Sequence, residues 1–85
     1  MKIIKYGADW CGPCREMSKI LKKSSYIVEE IDIDADENQE LVDSKNIMTI
    51  PVLEFYDDEN VLVHTHKGLI TLEELNTLVD NLYNG

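Results

Sequence analysis

Two cysteines, Cys11 and Cys14, stand three residues apart in the run Trp10-Cys11-Gly12-Pro13-Cys14. On a helix this spacing is about one turn, so the second sulfur can approach the first and close a small ring. A thiolate attacks a disulfide and a thiol does not, so the useful cysteine is one whose charge is stabilised near neutral pH. Cys11 is expected at a helix N-terminus, where unpaired backbone N–H groups and the positive end of the dipole favour an anion. Thiols in such C-x-x-C sites fall from about 8.5 to roughly 3.5–7.5. Cys14 should lie deeper in the helix and be more shielded. The roles follow: Cys11 attacks the substrate disulfide and Cys14 resolves the mixed disulfide. Pro13 suits the first helical turn, where its missing N–H costs little. Gly12 leaves the approach to Cys11 unobstructed.

Other chemistries fit less well. A zinc site normally needs four ligands, and there is no second C-x-x-C; His64 and His66 are the only histidines. A disulfide closing so short a loop removes little chain entropy, which argues against a purely structural staple. The acids Asp32, Asp34, Asp36 and Glu37 alternate like the start of a calcium loop, but Glu37 stands where an EF-hand requires glycine. A strand end running into a helix N-terminus explains them better. No metal and no cofactor beyond the cysteine pair is expected.

The chain has 85 residues, 44% of them hydrophobic, which suits one domain over residues 1–85 with one core. Seventeen acidic residues against eight basic ones give a net charge of −9, a balance that repels nucleic acid and anionic membranes. The N-terminus Met1-Lys2-Ile3-Ile4-Lys5-Tyr6 has no long apolar run, and no stretch could span a bilayer. The expectation is a cytoplasmic monomer, and a C-x-x-C there points to redox chemistry.

The apolar period sets out the elements that must hold the pair. Lys2 to Tyr6 reads as a first strand ending at Gly7. Cys14, Met17, Ile20 and Leu21 then recur at helical spacing, with Lys22 and Lys23 at the negative end of the dipole. Ser24-Ser25 breaks this helix. Tyr26 to Ile33 reads as a second strand covered on both faces. Asp36 with Gln39 predicts a capping box for a second helix that buries Leu41 and Val42 and ends near Asn46. Pro51–Tyr56 and Val61–His66, joined by Asp57-Asp58-Glu59-Asn60, predict an antiparallel hairpin. Thr71 and Glu74 predict a second capping box with Ile70 and Leu75 as its hydrophobic staple. Leu75, Leu78, Val79 and Leu82 stripe the last helix, and Gly85 closes the chain. The order is β-α-β-α-β-β-α, an α/β fold with a parallel first pair and a four-stranded mixed sheet flanked by three helices.

Trp10-Cys11-Gly12-Pro13-Cys14 after a strand resembles the active-site motif of the thioredoxin family at every position. Thr49-Ile50-Pro51 is similar to that family's cis-proline loop, and Lys67-Gly68 to its glycine loop. The likeness spans nearly the whole chain, lacking only the extra N-terminal strand and helix of full-length thioredoxins. It implies a thioredoxin-like fold with a cis Pro51, whose geometry turns the Ile50 backbone toward an extended substrate peptide. It also implies an apolar docking patch of Trp10, Ile50, Pro51 and Gly68 around the pair.

Two positions depart from that family. Thioredoxins usually carry a buried aspartate six residues before the first cysteine, often paired with a lysine on the next parallel strand. Here those positions hold Lys5 and Glu30, the same pair with its signs reversed. A partly buried Lys5–Glu30 ion pair beneath the site is expected. In it, Glu30 relays protons or Lys5 lowers the cysteine pKa values by its charge; the bland alternative is a Lys5 that snorkels to solvent with no catalytic role. Gly7 stands where thioredoxins often have a second tryptophan.

The implied activity is reduction of protein disulfides by dithiol–disulfide exchange. The implied donor is a thioredoxin reductase, with disulfide-forming enzymes such as ribonucleotide reductase among the acceptors. A glutaredoxin-like protein reduced by glutathione is the enzyme alternative, although Gly68 lacks the Gly-Gly-x-x-Asp segment that holds glutathione. A non-catalytic binding subunit using the same patch is the other.

Overall fold

A computed structural model of the chain describes residues 1–83. Alternation along β1 (Lys2–Gly7) sorts its side chains to two faces: Ile3 and Lys5 to one, Tyr6 to the other. The first face meets α1 (Gly12–Lys23), which follows directly. Cys11 caps that helix, Pro13 occupies its first turn, and Lys22 and Lys23 lie in its last. Ser24 ends it by donating its hydroxyl to the Leu21 carbonyl. Met17 and Leu21 of α1 pack with Ile3, Leu53, Phe55, Ile70, Leu75 and Val79 in the main core.

The remaining elements are β2 (Val28–Asp32), a 3₁₀ turn (Asp36–Asn38), α2 (Gln39–Lys45), β3 (Val52–Tyr56), β4 (Leu62–Lys67) and α3 (Leu72–Tyr83). The sheet order is β2-β1-β3-β4. β1 and β2 are parallel with Lys5 opposite Glu30, and β3 runs antiparallel to β1 and β4. This is the expected order and the expected mixed sheet. α1 and α3 cover one face, and α2 reaches the other through Lys45 and the buried Glu54 of β3. The hairpin β3–β4 turns at Asn60, which adopts a left-handed φ of 64°. The Thr71–Glu74 capping box forms as expected: Glu74 N–H donates to Thr71 Oγ1 at 3.1 Å and Thr71 N–H to Glu74 Oε1 at 3.3 Å. Ile70 and Leu75 are both buried beside it.

Three expectations need correction. β2 is shorter than Tyr26–Ile33 and is not covered on both faces. Among the described residues it is an edge strand that pairs with β1 alone, and Glu29, Glu30 and Asp32 are exposed. Charged residues are what an unprotected edge requires, since they discourage pairing with another chain. The Asp36–Gln39 capping box does not form. Asp36 starts the 3₁₀ turn, and Gln39 Nε2 instead folds back to donate to the carbonyls of Ile33 and Ala35. α2 buries Val42 but leaves Leu41 exposed, because a helix of seven residues presents only a narrow face to the sheet. Its end at Asn46, left-handed at φ 55°, is as read. Gly85 lies outside the described residues.

Candidate active site

The end of β1 delivers Gly7 and Ala8 to the helix start, and the cysteine pair sits at that junction. Cys11 has an extended backbone, φ −89° and ψ 112°, as a residue preceding a helix should. Its N–H donates to the Ala8 carbonyl at 3.1 Å, which closes the turn. Its sulfur accepts the Cys14 N–H at 3.1 Å. Cys11 Sγ therefore occupies the position of an N-cap acceptor, where negative charge is favoured by an otherwise unpaired donor. The two Cα atoms are 5.2 Å apart and the sulfurs are joined as a disulfide. Cys11 is 6% exposed and Cys14 1%, so the second sulfur is the more shielded. A Cβ built on Gly12 would meet nothing within 4 Å, so the approach side is open.

Three other segments close around the pair. The Ile50–Pro51 peptide is cis, and Ile50 packs with Ile33 against Ala8, Cys11 and Cys14. Gly68 donates its N–H to the Pro51 carbonyl at 2.8 Å. Its φ of +95° is the reason for glycine there, since a Cβ would otherwise find open space. Trp10 is 68% exposed and its indole N–H donates to Asp34 Oδ2 at 2.6 Å. Asp34 is a site residue that sequence spacing did not reveal: the loop after β2 brings it there, and Asp34 N–H itself donates to Asp32 Oδ1.

Beneath Cys14 lies a hollow of about 160 Å³ bordered by Lys5, Gly7, Cys14, Ser18 and Glu30 among others. Lys5 Nζ donates to Glu30 Oε1 at 2.8 Å and to Ser18 Oγ at 2.6 Å. The Lys5 side chain is 7% exposed and that of Glu30 52%, so the ion pair is half in and half out of water. The expected pair is thus present, and Glu30 borders the hollow while accepting from both Lys5 and Ser18. Gly7 acquires a reason as well: a Cβ there would stand 3.1 Å from Cys14 Sγ and 3.4 Å from Lys5 Nζ.

The family model for Thioredoxin matches residues 1–81. The chain belongs to the thioredoxin family. It is 42% identical over 71 residues to "Thioredoxin 3" of Plasmodium falciparum, covering 78% of this chain and 39% of that protein. It is 34% identical over 79 residues to a thioredoxin of Bacillus subtilis, covering 88% of this chain and 75% of that one. The chain thus spans about two-fifths of the length of the Plasmodium relative and three-quarters of the Bacillus one. Among solved structures, chloroplastic thioredoxin z superposes with a TM-score of 0.82 at 22% identity, over 99% of this chain and 79% of that one. A mutant thioredoxin from Halobacterium salinarum gives 0.80 at 27% identity, over 95% and 73%. The fold and the family are those the motif implied.

The electrostatics of this thioredoxin-family site bear on stability too. Hydrogen bonds from Lys5 first and Ser18 second hold the Glu30 carboxyl below its ordinary 4.5. A carboxyl lowered on folding contributes stability above its unfolded pKa and loses it as pH falls. Urea unfolding repeated at decreasing pH should therefore show stability dropping as pH falls through the ordinary carboxylate range. Glu30→Gln should show a smaller drop. An unchanged acid limb in that variant would mean the pair carries no net linkage.

Proposed function

We propose that this chain is a reductant of protein disulfides in the cytoplasm, fed by a thioredoxin reductase. The asymmetry of the two sulfurs supports this reading. Cys11 sits at the helix cap with open space above Gly12, while Cys14 is nearly inaccessible. Cys11 thiolate attacks one sulfur of a substrate disulfide, forming a mixed disulfide and releasing the first substrate thiolate. Cys14 thiolate then attacks Cys11 Sγ, forming the intramolecular disulfide and releasing the second. Two electrons pass to the substrate, and a reductase returns the pair to the dithiol.

Trp10, Ile50, Pro51 and Gly68 supply the docking surface in this reading. The backbone of Ile50 would pair with an extended substrate segment as a short strand, with the Trp10 ring beside it. Enzymes that form a disulfide at each turnover, ribonucleotide reductase among them, are the acceptors this chemistry suits. Equilibration of the pair against glutathione and dithiothreitol buffers tests the direction. A potential near or below about −250 mV is expected of a thioredoxin-type reductant. One above about −200 mV would place the chain among glutaredoxin-like or oxidising proteins. In the companion assay, insulin reduction should depend on NADPH and a thioredoxin reductase and proceed without glutathione.

A further inference from the structure

We propose that Lys5 is a positioning residue for the resolving step: its ammonium holds the Cys14 thiolate by charge, and no general base acts beneath the disulfide. The inference rests on the reading above in one respect, that Cys14 is the resolving thiol.

The geometry carries it. Lys5 Nζ and Cys14 Sγ flank the gap that Gly7 leaves, 3.4 Å and 3.1 Å from the position a Cβ would take, so they lie no further apart than those two distances laid end to end. Two of the three ammonium N–H donors are spent on Ser18 Oγ and Glu30 Oε1. The third has no oxygen partner among the described residues. A cation so placed and 93% withdrawn from water is poorly screened, and a nearby opposite charge favours the ionised form of a thiol. The remaining charged groups around the hollow are Asp9, Arg15 and Asp32, all exposed. Glu30 is the only carboxylate bonded to Lys5 among the described residues, and it is a poor candidate for a proton acceptor. Its bonds to Lys5 and Ser18 stabilise the carboxylate and weaken it as a base, and its oxygen Oε1 is already taken up by those two donors.

The step balances without a protein base. The Cys14 thiol loses its proton to water in the hollow, and its thiolate attacks Cys11 Sγ. The S–S bond to the substrate breaks, the Cys11–Cys14 bond forms, and the departing substrate thiolate takes a proton from solvent. Lys5 exchanges none.

The test is a ¹³Cβ shift titration of both cysteines in the reduced full chain, comparing wild type with Lys5→Met, Lys5→Arg and Glu30→Gln. Lys5→Met should raise the Cys14 midpoint by about one unit or more, and Lys5→Arg should hold it near the wild-type value. A Cys14 midpoint that stays put in Lys5→Met, or that rises equally in Lys5→Arg, overturns the proposal. Should Lys5→Met fail to fold, Glu30→Gln decides. Removing the compensating negative charge lowers the Cys14 midpoint if Lys5 acts by charge, whereas an unchanged or raised midpoint counts against it. Failure of the reading beneath shows separately, as a wild-type chain that leaves insulin disulfides intact.

Discussion

Cys14→Ser is expected to abolish turnover while leaving the first attack intact, so the chain accumulates as a mixed disulfide with its substrate through Cys11. Cys11 keeps its cap position and its open approach in that variant, because neither depends on the second sulfur. The lost step is intramolecular. For well-oriented groups the effective concentration of such a nucleophile reaches about 10⁵–10⁸ M, far above the millimolar free thiol that must replace it. Insulin reduction should therefore slow by at least about a thousandfold. Mass spectrometry under non-reducing conditions should find the adduct on Cys11. Cys11→Ser should lose turnover without any adduct, since Cys14 is shielded to 1% exposure. Substantial turnover in Cys14→Ser, or an adduct on Cys14 in the Cys11 variant, would reverse the assigned roles.

The second large effect lies on the opposite face of the sheet. Glu54 is buried at 3% exposure and its carboxylate gathers three donors: the hydroxyls of Tyr6 and Tyr56, each at 2.8 Å, and Lys45 Nζ at 3.2 Å. A buried charge is tolerated when it is paired, and stripping one partner is costly because the other is left desolvated. Lys45 retains some contact with water, so Lys45→Met should cost less than the ~3–5 kcal/mol of a fully buried pair, about 2–3 kcal/mol. In a domain of this size that lowers the thermal midpoint by roughly 10–20 °C. Adding Glu54→Leu should recover most of the loss, and Tyr6→Phe then removes the more buried of the two hydroxyls left without that carboxylate. Calorimetry on the single, double and triple variants checks this. Additive losses along that series would mean the four groups do not act as one network. The same burial, with the Glu54 bond second, pushes the Tyr6 phenol above its ordinary value of 10.0. Its contribution is therefore complete below pH 10 and is lost as pH rises beyond it.

Much of the active site is legible in the chain because its parts are local. The Cys11–Cys14 spacing, Pro13 in the first helical turn, the Lys22–Lys23 terminus and the Thr71–Glu74 box are all set within a few residues, where capping and periodicity speak directly. The Lys5–Glu30 pair is longer in range and is read from the family's aspartate and lysine positions; the parallel register that makes those Cα atoms direct partners comes from the fold. The cis Pro51 and the Gly68 loop were accessible through family resemblance alone. Nothing in their local sequence distinguishes Pro51 from a proline that simply begins a strand.

Local patterns along the chain settle the chemistry and the order of elements: a dithiol at a helix cap, then strands and helices marked out by their apolar periods. Tertiary structure alone decided which groups share an environment. It made β2 an edge strand, because among the described residues no strand pairs beyond it, and so left Glu29 and Glu30 in water. It turned Gln39 back onto the preceding loop in place of a capping box, brought Asp34 to Trp10, and buried Glu54 among hydroxyls from a neighbouring strand and its own. The physical reason is common to all four. A side chain's partners across a sheet or loop are set by packing between distant segments, and a polar group's cost or value depends on whether that packing removes its water.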